Sequence, residues 1–236
     1  MLKFALEELA KIERKLGYTF NDKVLLSTAL TSSTADAKDN YEKLEFFGDG
    51  YLRYALPKLI DERYPGSHQG ELTRMYSVLS CNATLAHTGL RLGVPSVVKL
   101  GNSKIKFHLK LIADVVEAII GAVEQDSHKS DVLIQICRRI FRTNIELIRF
   151  DRPIELLTQM SSSKSNRNRI SFHVYPRSSN IACSGYIAVV NKGKEVVVDN
   201  GEGINAEWAM YNAAALALLR LYPKTYPAPL TIQWRL

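Results

Sequence analysis

What most constrains this chain is a change of texture near residue 150. Before it, apolar residues recur every three or four positions with few β-branched alternations, the spacing that gathers them on one helix face. Phe4, Leu6, Leu9, Ile12 and Leu16 form the first such stripe, closed by Gly17. Further helices are expected over 22–31, 41–63, 71–91, 107–126 and 129–148, with breaks such as Tyr64-Pro65-Gly66 and Gly93-Val94-Pro95. After Pro153 a short helix at 154–160 gives way to the polar run Ser161 to Arg169, then to strand-like runs over 170–175, 181–190 and 195–198. Asn200-Gly201-Glu202-Gly203 reads as the turn that stops the third strand, and Ala206 to Leu221 as an alanine-rich helix. The expected fold is therefore α plus α+β: an all-α domain over 1–150, then an α-β-β-β-α domain over 151–236 that includes a C-terminal tail.

Composition mainly excludes. With 236 residues, 46% apolar and 23% charged, the chain is neither collagen-like, nor low-complexity, nor a disulfide scaffold. Cys81, Cys137 and Cys183 are odd in number, far apart and without a C-x-x-C pair, which fits a reducing compartment. The early acids Glu7 and Glu8 interrupt any leader pattern, and the longest apolar run, Ala213 to Leu219, is too short to span a bilayer. A cytoplasmic or nuclear protein, neither secreted nor membrane-bound, is expected. Lys+Arg 31 against Asp+Glu 24 leaves +7, of which +3 falls before residue 151 and +4 from residue 151 onward. That surplus favours a polyanionic partner.

Two acid pairs stand in apolar helices. Glu45 and Asp49 are four apart within Leu44-Glu45-Phe46-Phe47-Gly48-Asp49, and Asp114 and Glu117 are three apart within Ile112-Ala113-Asp114-Val115-Val116-Glu117. Each pair shares a helix face. One reading makes them the solvated edges of amphipathic helices. The other makes them a cluster whose repulsion and lost hydration call for a hard divalent cation with oxygen ligands. Gly48, Gly50, Ala113 and Gly121 would permit close helix approach, which suits the second reading.

The residues 41–52, Tyr-Glu-Lys-Leu-Glu-Phe-Phe-Gly-Asp-Gly-Tyr-Leu, closely resemble the signature helix of the ribonuclease III family. Lys110-Leu111-Ile112-Ala113-Asp114-Val115-Val116-Glu117-Ala118 resembles the family's second acidic helix, and shorter likenesses run in the family's order across most of 5–125. The resemblance implies a metal-dependent endoribonuclease acting on double-stranded RNA, with Glu45, Asp49, Asp114 and Glu117 as the catalytic and metal-binding quartet. It implies Mg²⁺, with Mn²⁺ as a possible substitute, and 5′-phosphate products with two-nucleotide 3′ overhangs, in RNA processing or silencing. It also implies a homodimer, with Phe46 at the two-fold contact, although core packing is an alternative for that ring. Lys110 matches a basic residue that could contact RNA, or it is simply a surface lysine. Tyr41 and Ser32 stand where the family usually has Asn and His. Glu42 and Glu71 align with acids near the active valley, or lie on solvated helix faces.

The second segment looks like a double-stranded RNA-binding domain, a fold that reads duplex shape and phosphates. Its usual lysines at the start of the last helix are replaced by Ala206 and Glu207. Arg177, Lys192, Lys194 and the run Lys164, Arg167 and Arg169 are the remaining candidates for RNA contact. A rival role is dimerisation or partner binding, and a non-catalytic RNA-binding or ribosome-associated relative is the alternative for the whole chain. The intact quartet argues against that alternative.

Overall fold

Helix stripes and strand alternation each build a core of their own. The computed structural model describes residues 4, 6–101, 108–150, 152–161, 169–176, 186–203 and 205–225. It divides into two compact units, Met1–Glu146 and Leu147–Leu236. The division precedes residue 150 because Leu147 and Phe150 are buried in the second unit's core.

The first unit is helical: α1 (Leu6–Leu16), α2 (Lys23–Ala29), α3 (Glu42–Arg63), α4 (Gln69–Ser80), α5 (Asn82–Leu92), α6 (Leu109–Ser127), α7 (Ser130–Ile140) and α8 (Arg142–Leu147). Its centre is α6, whose residues Leu111 to Val116 and Ala118 to Val123 are all buried. Asp22 starts α2 by accepting from the Val24 amide, and His128 ends α6 in the left-handed region at φ 51°.

Two expected helices are each broken in two. The stretch 71–91 divides at Cys81, which is extended at φ −70° and ψ 149°. The Val78 carbonyl there accepts from the Thr84 hydroxyl at 2.6 Å and the Cys81 thiol at 3.2 Å, so side chains satisfy what the interrupted helix leaves open. The stretch 129–148 divides at Phe141, whose ring is completely buried.

The second unit contains α9 (Pro153–Met160), β1 (Ile170–Pro176), β2 (Tyr186–Lys192), β3 (Glu195–Gly203) and α10 (Ala206–Leu221). The sheet is antiparallel in the order β1-β2-β3, with Phe172 opposite Val190 and Val174 opposite Ala188. Ala188, Val190 and Val198 pack with Leu157 and with Ala209, Ala213 and Ala217 of α10. The strand β3 runs through Gly203, past the turn expected at 200–203. Gly201 and Gly203 serve close packing instead: a Cβ on Gly201 would stand 2.3 Å from Ala213 Cβ, and one on Gly203 2.1 Å from the Ala209 nitrogen. The expected strand residues 181–185 lie outside the described residues.

Candidate metal centre

The site begins as a contact between backbones. A Cβ on Gly48 of α3 would stand 1.8 Å from the carbonyl oxygen of Glu117, and one on Gly121 of α6 2.2 Å from that of Leu44. Each glycine therefore abuts a residue at, or next to, an acid of the other helix. This crossing brings ligand oxygens of Glu45, Asp114 and Glu117 within 4.8 Å of one another. Gly50 takes no part, since a Cβ there would meet nothing within 4 Å.

Gathering these acids has an electrostatic cost. Burial pushes the Glu117 carboxyl up to about 7, with further contributions from Asp49, Glu45 and Asp114, while Lys110 acts in the opposite sense. Glu45 is also raised, by burial first and then by Asp114. Asp114 is only 6% exposed. Both its carboxylate oxygens accept from the Lys110 ammonium, at 2.9 and 2.8 Å, and the same ammonium lies 3.7 Å from Glu45. The Tyr41 phenol is pushed up to about 12 by burial and then by Asp114 and Glu45.

The fourth expected acid, Asp49, is not among the three whose ligand oxygens all lie within 4.8 Å of one another. Asp49 is paired with Arg53 one turn along α3, at 2.8 Å to one guanidinium nitrogen and 3.2 Å to another. It nonetheless contributes to the rise at Glu117. Arg53 was not anticipated as part of the site, although Asp49 and Arg53 have the i,i+4 spacing of an opposite-charge helix pair. The same spacing links Lys110 and Asp114, so the lysine's engagement with the acids was readable as well.

Phe46 is 76% exposed and meets Phe47 edge to face at 5.5 Å, so core packing does not explain it. Glu42 is exposed. Glu71 accepts from the His68 amide at 2.9 Å, capping α4. Ser32 is buried with its hydroxyl 3.0 Å from that of Thr34. In the second unit Lys192 and Lys194 flank the Gly193 turn between β2 and β3. Arg177, Lys164 and Arg167 lie outside the described residues. The start of α10 carries Glu207, with Asn205 accepting from the Trp208 amide at 2.8 Å.

Glu45, Asp114 and Glu117 could together hold a divalent cation. They offer hard oxygen donors from two rigid helices, and their charge exceeds what one lysine balances. Among the described residues this is the one group of three or more potential ligands so close together.

The family model described as Ribonuclease-III-like matches residues 22–143. Similar curated proteins include Ribonuclease 3 of Actinobacillus pleuropneumoniae serotype 3, 36% identical over 133 residues, or 55% of this chain and 59% of that protein. Another is Ribonuclease 3 of Vibrio vulnificus, 40% identical over 123 residues, or 50% of this chain and 54% of that protein. The chain thus spans little more than half the length of these relatives. Among solved structures, the nuclease domain of ribonuclease III from Campylobacter jejuni is similar in fold, with a TM-score of 0.50 and 24% identity. That match covers 57% of this chain and 96% of that domain. No helix among the described residues is long and apolar enough to cross a membrane.

Proposed function

Because the chain belongs to the ribonuclease-III-like family, we propose that it is a metal-dependent endoribonuclease that hydrolyses phosphodiester bonds of double-stranded RNA. The observation that carries this reading is the convergence of Glu45, Asp114 and Glu117 where α3 crosses α6. The helical unit is the catalytic part, over about residues 1–150, and the α-β-β-β-α unit the duplex-binding or dimerising part.

Glu45, Asp114 and Glu117 would hold Mg²⁺, or Mn²⁺ in its place, with Asp49 completing the quartet from the exposed side. The chemistry supplied by the bound ion is Lewis-acid polarisation of the scissile phosphate and acidification of the attacking water. The chain's own contribution is placement. The Gly48–Gly121 crossing fixes which carboxylates converge, and burial of Asp114 holds one of them without freedom to rotate into solvent. Glu117, with its carboxyl raised to about 7, would have to be deprotonated to serve as a ligand to the cation. The exposed Phe46 supports a homodimer that sets two sites across one duplex, which would give 5′-phosphates and two-nucleotide 3′ overhangs. Lys192 and Lys194 supply phosphate contacts from the second unit.

The test is incubation of purified protein with long duplex RNA and Mg²⁺, beside an EDTA control and Glu117→Ala. Cutting by the parent alone, with 5′-phosphate ends, is the expected result. No product across a range of Mg²⁺, Mn²⁺ and salt would overturn the enzyme reading, and cutting that persists in the variant would overturn the role of Glu117.

A further inference from the structure

Lys110 occupies an unusual position for a lysine on the rim of a metal site. Its ammonium donates to both oxygens of Asp114, at 2.9 and 2.8 Å, and stands 3.7 Å from Glu45. Asp114 and Glu45 are two of the three residues whose ligand oxygens converge within 4.8 Å. The lysine comes from the first turn of α6, one turn before Asp114, and most of its side chain remains exposed while the Asp114 side chain is buried. The stem can therefore swing into solvent without unpacking the core, but the acid cannot follow it.

We propose that Lys110 is the resident counter-ion of the metal-free site, and that a divalent cation binds by displacing its ammonium from Asp114 and Glu45. The inference rests on the metal reading of this site and adds a competition to it. A positive charge at contact distance from two ligands engages the electron pairs a metal needs and repels the incoming ion. Lys110 thus holds the carboxylates together without metal and weakens metal binding. Entry of the ion frees an ammonium at the rim of the site, where a phosphate of the bound RNA can take it up. Lys110 is in this sense a positioning residue, whose partner differs between the metal-free and metal-loaded protein.

The experiment is a Mn²⁺ titration, followed by calorimetry and by electron paramagnetic resonance, of the full chain as parent, Lys110→Met and Lys110→Arg. Thermal unfolding is measured with and without metal. Lys110→Met is expected to bind Mn²⁺ about tenfold tighter and to unfold at lower temperature when metal-free, with the gap closing at saturating Mn²⁺. Lys110→Arg is expected to stay near the parent on both counts. A structural defect would weaken metal binding, so the direction of the change separates the two. Mn²⁺ affinity that is unchanged or lower in a folded Lys110→Met would overturn this inference alone. No Mn²⁺ binding by the parent would remove the metal reading and this inference with it. A second measurement needs no variant: amine-reactive labelling of the parent, read by mass spectrometry, should modify Lys110 faster with Mg²⁺ than with EDTA. Equal labelling in the two would overturn the displacement.

Discussion

Glu117 lies on the turn of α6 that touches α3, in the company of Asp49, Glu45 and Asp114, and its carboxyl is held at about 7. A carboxyl raised above its ordinary value costs the fold nothing below that ordinary value; the cost grows as pH rises from there to about 7 and is constant above it. Two outcomes follow. Glu117→Gln should raise the metal-free unfolding temperature by a few degrees at pH 8 and leave it nearly unchanged at pH 4, a comparison that differential scanning calorimetry makes directly. Under the proposed function metal competes with the proton, so the Mg²⁺ concentration for half-maximal cleavage should rise as pH falls below 7. Asp126 shows the opposite sign. Burial would raise its carboxyl, but hydrogen bonds from Tyr18 and from the backbone of Asp22 and Asn21 overcome this and lower it. Such a group stabilises the fold above its ordinary value and stops doing so as pH falls through its lowered one. Asp126→Asn should therefore cost about 1 kcal/mol at pH 7, with a smaller deficit in acid, where the carboxyl is protonated.

At the scale of elements, the site depends on two glycines that let α3 and α6 touch. A methyl group at position 48 would collide with the Glu117 carbonyl, so Gly48→Ala should destabilise by about 1–3 kcal/mol or more. Gly50, two residues on, faces open space, and Gly50→Ala should stabilise by about 0.5–1 kcal/mol through helix propensity. Denaturant melts of the two variants read the contrast, and equal effects would contradict the close α3–α6 crossing. These helices were legible in the sequence because an apolar stripe has few other uses. The breaks at Cys81 and Phe141 were not, since neither has a glycine or proline: the first is capped by local side-chain hydrogen bonds from Thr84 and Cys81 to the Val78 carbonyl, and the second falls at the buried Phe141 ring. Gly201 and Gly203 misled for the converse reason. Glycine marks a turn and a close approach alike, and only the proximity of Ala213 and Ala209 distinguishes them. At the site, helical spacing places each acid pair on one face and allows the Asp49–Arg53 pair, but it does not say which acids of α3 and α6 converge, because that is set by the crossing of the two helices.

For the whole molecule, the net charge of +7 gave only a general expectation of a polyanionic partner. The structure adds that one lysine of the first unit, Lys110, is engaged by the acids and so does not face a partner freely. If Phe46 makes a two-fold contact, Phe46→Glu should convert dimers to monomers in sedimentation equilibrium. Its exposure predicts a change in monomer stability within about 0.5 kcal/mol. The most direct test of the centre itself is anomalous diffraction from crystals grown with Mn²⁺. The account predicts a peak enclosed by the carboxylates of Glu45, Asp114 and Glu117, and lost in Glu117→Gln. A peak elsewhere, or none at saturating Mn²⁺, would contradict it.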